Sequence, residues 1–303
     1  MSFESPGAVL RRHGLWARKS WGQNFLHAPD VHAAIVAAAG ARAGVRVIEI
    51  GAGVGSLTHG LLATGAEVWA IERDRDLCAV LRHEFAGAER LRLFEADAVR
   101  FDYASAADAE HPRPTIVGNL PYHLTGPLMF ALLDHHATTG DWIVMVQREV
   151  AERIVAPPGS RTYGGLSVVL GRVRVLEWVT AVSPGAFLPP PKVDSAVIRL
   201  RPREQPLGEV ASESGFRALV RAAFQQRRKT LANALSSLAG RPAAQRWCER
   251  TGIDPAIRPE KLAPAQFAAL QRAREQDPPS PSSSDAGADD GAASDDDLAE
   301  QGS

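Results

Sequence analysis

Three acids and an amide stand where successive apolar runs of the chain stop: Glu49 in "VIEIGAGVGSLT", Glu72 closing "EVWAIE", Asp97 closing "LRLFEAD" and Asn119 in "TIVGNLPY". Between Glu49 and the next helical pattern, Gly51, Gly53 and Gly55 permit a tight turn and a close approach of backbone to a ligand. The dinucleotide fingerprint sets its third glycine five residues after its first. Here the interval is four, and Glu49 adds a carboxylate that would repel a pyrophosphate. Glu72 follows Gly51 by twenty-one residues, the interval at which an acid accepts both hydroxyls of a ribose. The Asp97 carboxylate is suited to accept a hydrogen bond from an adenine amine. Taken singly, each acid reads more simply as a solvated loop residue or a helix cap. Three of them around one glycine loop describe a site for a nucleoside that also carries positive charge. S-adenosylmethionine, with its ribose, adenine and sulfonium-bearing amino-acid tail, fits that description better than NAD.

Asn119, Leu120, Pro121 and Tyr122 pose a second chemistry, that of an amine acceptor. An adenine's exocyclic amine is a weak nucleophile because its lone pair is delocalised into the ring. If the Asn119 side-chain oxygen and a backbone carbonyl at Leu120 or Pro121 accept its two N–H groups, they favour the tetrahedral geometry that frees the lone pair for in-line attack on a methyl group. Pro121 fixes its own φ and biases Leu120 toward an extended conformation, so the carbonyls are presented without further ordering cost. Tyr122 can stack on the base, a contact worth roughly 1–3 kcal/mol. An isolated match of this length also reads as a plain Asn-containing turn. Its place on the fourth strand, beyond the three acids, gives it specificity.

The elements that must position these residues follow from periodicity. β-branched runs at Val45–Gly51, Glu67–Glu72, Leu91–Asp97, Thr115–Leu120 and Trp142–Gln147 alternate with helical patterns, which predicts a parallel sheet wrapped by helices. Further strands are expected at "VRVLEWV" and "SAVIRL", separated by the proline-rich "SPGAFLPPPKVD". From about Ser212 to Gln276 the apolar spacing is helical throughout. The expected fold is therefore an α/β, Rossmann-like S-adenosylmethionine-dependent methyltransferase domain over residues 1–202, N-terminal arm included, then a small all-helical RNA-binding domain over 203–276. The tail, 277–303, is rich in Pro, Ser, Gly, Ala and Asp and has little to bury, so disorder is expected there.

The formal charge of the 303-residue chain is -1, but eight of its 35 acids lie from Asp277 onward. Residues 1–276 thus hold 34 basic against 27 acidic residues, a balance of +7. Arg221, Arg227, Arg228 and Lys229 are expected to gather charge on one helix, with Arg11, Arg12, Arg18 and Lys19 at the N-terminus. Without the pocket such a basic helix would read as a solvated face; beside a base-modifying pocket these residues become candidates for phosphate contacts. Phe187 and Pro189–Pro191 are candidates for a pocket wall, and Lys192 for another phosphate contact. Two cysteines, Cys78 and Cys248, are too few for a disulfide framework or a thiolate zinc site, so no metal is expected. No apolar run reaches the roughly 18–20 residues needed to span a bilayer, and no leader pattern opens the chain. A cytoplasmic protein without membrane contact is the expectation.

The segments "KSWGQNFL", "EIGAGVGSLT", "AIERD", "EADA", "GNLPYHLTGPL", "YGGLSV", "FLPPPKVDSAVIRL" and "FQQRRKTLANAL" occur in this order. From about Arg18 to Ala273 the chain resembles the small-subunit ribosomal RNA adenine dimethyltransferases of the bacterial KsgA type and their eukaryotic counterparts. The resemblance implies dimethylation of two adjacent adenines in the 3′-terminal hairpin loop of 16S rRNA, within the immature small (30S) ribosomal subunit. S-adenosyl-L-methionine would be consumed and S-adenosyl-L-homocysteine released by a monomeric enzyme. It further implies that Asn24, Leu26, Gly51, Glu72, Asp97 and Asn119 surround the cofactor and that Asn119, Leu120, Pro121 and Tyr122 hold the target adenine. Ala52, Trp21, His123 and Gly126 depart from the commonest family pattern, the last two beside the expected acceptor pocket. A large-subunit methyltransferase of the macrolide-resistance type would share the first domain, but "PPPKVDSAV" and "FQQRRKTLANAL" argue against it. The other alternative is an assembly factor that binds small subunits with dispensable catalysis; intact Glu72, Asp97 and Asn119–Tyr122 argue against pure binding.

Overall fold

Each apolar run named above forms a strand; the first stops at Gly51, and the second leads into the Asp74 cap of the helix that follows. The computed structural model describes residues 4–18, 21–226 and 228–277. The candidates Lys19 and Arg227 and the tail from residue 278 onward lie outside the described residues. In chain order the elements begin with α1 (Pro6–Arg12), β1 (Phe25–Leu26), α2 (Pro29–Ala38), β2 (Arg46–Ile50), α3 (Ser56–Ala63), β3 (Glu67–Glu72) and α4 (Arg75–Glu84). They continue with β4 (Leu91–Glu95), β5 (Thr115–Asn119), α5 (Thr125–Asp134), β6 (Trp142–Gln147), α6 (Arg148–Ile154) and α7 (Gly165–Val173). The chain then forms β7 (Arg174–Val182), β8 (Phe187–Leu188), β9 (Ser195–Pro202), α8 (Glu213–Gln225), α9 (Leu231–Thr251) and α10 (Pro264–Glu275).

The chain divides into two compact units, Met1–Ala151 with Val175–Pro202 and Glu152–Arg174 with Arg203–Ser303. In the first, seven strands form one sheet in the order β4-β3-β2-β5-β6-β9-β7. β2 to β6 run parallel and β9 joins β6 antiparallel. Chain order reverses between β2 and β5, the switch point beyond whose carboxyl ends ligands bind in open α/β sheets. Val47, Val68, Val117 and Ile143 of the sheet pack with Ile35 of α2 and Leu61 of α3, all fully or almost fully buried. Each such side chain contributes roughly 1.5–3 kcal/mol through removal from water. Gly118 is required where β2 and β5 adjoin: a Cβ there would lie 2.7 Å from the Ile50 carbonyl oxygen.

The helical unit is built on α8, whose Phe216, Leu219, Val220 and Phe224 are buried. Phe224 packs against Tyr163 and Phe267, with ring centroids 6.1 and 5.8 Å apart. The Tyr163 hydroxyl donates to the Leu262 carbonyl at 3.0 Å. α9 breaks at Ala239–Gly240, just ahead of Pro242. The boundary expected at residue 202 needs correction for Glu152–Arg174, which belongs to this unit. α7 is buried on all sides, as a helix enclosed by other helices must be, and its Arg172 donates to the Gly208 carbonyl at 3.0 Å and pairs with Glu213. No described helix is long and apolar enough to cross a membrane.

Candidate functional site

At the carboxyl ends of β2, β3, β4 and β5 lies a cavity of about 440 Å³. Its walls include Asn24, Leu26, Gly51, Glu72, Asp97 and Asn119, together with Leu120, Pro121 and Tyr122. The nine residues expected to surround the cofactor or hold the target adenine therefore meet in one place, and all belong to the first unit. The volume is in the range typical of small-molecule sites.

Glu72 ends β3 and is held by backbone amides. Its Oε2 accepts from Gly53 N at 2.9 Å, and its Oε1 from Arg73 N at 2.8 Å and Asp74 N at 2.9 Å. Burial raises its pKa and outweighs these three bonds, which act in the opposite direction. Glu49, 2% exposed on β2, accepts from the Thr58 hydroxyl at 2.6 Å. Burial, with the Glu72 charge adding to it against the Thr58 bond, pushes the Glu49 carboxyl up to about 8. A buried carboxyl whose ionisation the Glu72 charge further disfavours suits a ligand with cationic groups better than one with phosphates. Gly51 and Gly53 take φ of 72° and 62°, turning the loop between the two acids into α3. Asp97 is half-exposed; its Oδ1 accepts from Val99 N at 3.0 Å and its Oδ2 lies 3.9 Å from an Arg73 guanidinium nitrogen.

Asn119 is the last residue of β5. Its Nδ2 donates to the Asn24 carbonyl at 2.9 Å, and since a carbonyl only accepts, the amide orientation follows and Oδ1 is the end left for an incoming donor. The Pro121 carbonyl accepts from Leu124 N at 2.9 Å, so of the two expected backbone acceptors Leu120 is the better placed. Leu120 N donates to the Met145 carbonyl at 3.0 Å, which ties the turn to β6. The Tyr122 hydroxyl shares a 2.6 Å hydrogen bond with Ser195 Oγ. Burial raises its pKa against that bond, keeping the phenol neutral.

The N-terminal arm reaches this site through Gln23 and Arg18. Gln23 Nε2 donates to Asp74 Oδ2 at 2.8 Å, and Arg18 pairs with Asp74 and Asp76. Asp74 also caps α4 by accepting from Asp76 N at 3.0 Å. Asp74, Thr58 and Ser195 were not legible in the sequence as parts of the site, since each acts through a partner far away or on the next element. His123 lines the cavity, whereas Gly126 is buried in α5 and does not.

Several basic candidates sit differently from expectation. α8 ends at Gln225, so Arg228 and Lys229 are exposed in the turn beyond it, while Arg221, on the helix, is half-buried. Of the three described, only Arg221 lies on the helix, because Gln226 leaves helical geometry. Arg12 and Arg18 make structural ion pairs, Arg12 with Glu4 and Glu84. Phe187 is 2% exposed in the core, paired with Leu26, and does not wall the cavity. Lys192 is exposed.

The sheet order, the glycine loop and the acids at the strand ends define a Rossmann-like methyltransferase. A family model described as ribosomal RNA adenine dimethylase matches residues 14–274. The ribosomal RNA small subunit methyltransferase A of Anaeromyxobacter sp. (strain K) is 49% identical over 282 residues, covering 89% of this chain and 98% of that protein. Among solved structures, a dimethyladenosine transferase from Plasmodium falciparum superposes with a TM-score of 0.68 at 26% identity, over 83% of this chain and 98% of the other. The 23S rRNA methyltransferase ErmE gives 0.65 at 26% identity, over 84% and 100%. The chain belongs to the ribosomal RNA adenine dimethylase family.

Proposed function

We propose that the protein uses S-adenosyl-L-methionine to convert two adjacent adenines in the 3′-terminal hairpin loop of 16S rRNA to N6,N6-dimethyladenine, on the immature small (30S) ribosomal subunit. The observation that carries this reading is the single cavity lined both by the strand-end acids and by Asn119, Leu120, Pro121 and Tyr122. When bound, the cofactor supplies an electrophilic methyl carbon and leaves as S-adenosyl-L-homocysteine.

The residues fit that group. Glu72, oriented by three amides, accepts the ribose hydroxyls, and Asp97 accepts from the cofactor's adenine amine. Glu49 lines the same cavity, where a cationic group of the cofactor would favour its ionised form. Asn24, Leu26 and Gly51 close the cavity around the cofactor. The Asn119 Oδ1 and the Leu120 carbonyl would accept N–H groups of the target amine, two before the first transfer and the one remaining before the second, turning its lone pair out of the ring; each transfer releases one amine proton to solvent. Pro121 holds that turn, and the neutral Tyr122 ring, fixed through Ser195, stacks on the base. A target inside a helix would have to be flipped out, and an unpaired loop adenine lowers that cost. Arg221, Arg228 and Lys229 provide phosphate contacts.

The test is incubation of the protein with methyl-labelled cofactor and undermethylated small subunits, followed by nucleoside analysis. Dimethyladenine in the small-subunit RNA is expected. Label confined to large-subunit RNA would favour the activity named for ErmE, whose fold this chain shares. Stable small-subunit binding without label would favour an assembly factor.

A further inference from the structure

Trp21 and His123 both line the cavity although 101 residues separate them in the chain. They are brought close through Gly22. A Cβ at Gly22 would lie 3.3 Å from His123 Nδ1, so the imidazole packs against the backbone of the residue that follows Trp21. Trp21 is 45% exposed, a costly state for a ring of that size at a cavity rim. The guanidinium carbons of Arg18 and Arg73 lie 5.5 and 6.0 Å from its ring centroid. Arg18 is committed to Asp74 and Asp76, whereas the Arg73 side chain is 66% exposed and leans only loosely toward Asp97.

A part-exposed indole with the Arg73 guanidinium over its ring, and an imidazole against the backbone of the next residue, offers the groups of a stacking platform for unpaired nucleic acid. With two adjacent target adenines, only one at a time can lie against Asn119–Tyr122. Its neighbour remains attached one phosphate away, at the rim. We propose that Trp21 and His123 form a rim subsite that holds the purine next to the target adenine, the indole stacking on its base and Arg73 facing the intervening phosphate. This rests on the adenine-methylating reading above. The subsite serves whichever of the two adenines is outside the pocket, so it sets how readily the pair is exchanged between the two positions.

The experiment uses the full chain, undermethylated small subunits, and a hairpin RNA in which 2-aminopurine replaces one of the adjacent adenines. Trp21→Ala is expected to raise the KM for subunits about tenfold, the lower part of what one base–aromatic stack is worth, with kcat and cofactor affinity little changed. The same variant should lose the quenching of 2-aminopurine fluorescence seen with the wild-type chain. Trp21→Phe should restore both, and His123→Ala should act in the same direction as Trp21→Ala. Unchanged KM and quenching in Trp21→Ala, or a loss of cofactor affinity as large as the rise in KM, would overturn the subsite while leaving the methylating activity standing. Wild-type protein that transfers no methyl group to either subunit would overturn both.

Discussion

At the scale of single residues, the amide at position 119 works through both of its ends. Its nitrogen is held by the Asn24 carbonyl, which leaves its oxygen to accept from the proposed target amine. Removing one preorganised polar group at a developing charge costs about 10²–10³ in turnover. Asn119→Ala should therefore lower kcat by that factor in a methyl-transfer assay, with a much smaller change in cofactor affinity by calorimetry; wild-type turnover in a folded variant would refute the assigned role. Glu49 makes a prediction about pH. Its carboxyl is raised from 4.5 to about 8, chiefly by burial, so the folded state binds more protons than the unfolded chain between those values. Its contribution to stability is therefore fully present below about pH 4.5 and is lost as pH rises to about 8. The raised Glu72 acts in the same direction. Thermal melts of Glu49→Gln should show a flatter decline in this window than the wild-type chain, and parallel curves would show that Glu49 is not the group responsible.

At the scale of elements, the site depends on how closely β2 and β5 lie. Ile50 pairs with Gly118, and the next residue along β5 is Asn119. A methyl group at position 118 would lie 2.7 Å from the Ile50 carbonyl oxygen, backbone that cannot swing aside. Gly118→Ala should cost on the order of 1–3 kcal/mol, seen as a lower urea midpoint with unchanged slope. It should also reduce turnover in the folded fraction, since Asn119 would be displaced from both the Asn24 carbonyl and the cavity. A variant with wild-type midpoint and activity would mean that the strands separate without cost.

At the scale of the whole molecule, the charge balance of +7 over residues 1–276 provides a general attraction for polyanions, which salt screens. Arg228 and Lys229, exposed in the turn after α8, are placed to contribute. The double variant Arg228→Ala/Lys229→Ala should bind RNA more weakly. Its plot of log affinity against log salt should be shallower by about 0.7–0.9 for each phosphate that is no longer neutralised, with cofactor affinity unchanged. An identical salt slope would remove these two residues from the interface.

The sequence by itself determined the strands, the glycine loop and the acids that end each strand, because these depend on local alternation and on where an apolar run is interrupted. It also determined the chemistry available at Asn119, Leu120, Pro121 and Tyr122, which lie consecutively. Only the tertiary structure decided what holds them. The Asn24 carbonyl that orients Asn119 is 95 residues away, and the Ser195 hydroxyl that fixes Tyr122 is 73 residues away. Such contacts follow from the strand order, which sets β5 beside β2 and β9 beside β6 out of chain order, and local periodicity carries no record of that order. Nor does local periodicity record that Glu152–Arg174 joins the helical unit or that Arg228 and Lys229 fall beyond α8. Packing partners distant in the chain and the end of helical geometry made those choices.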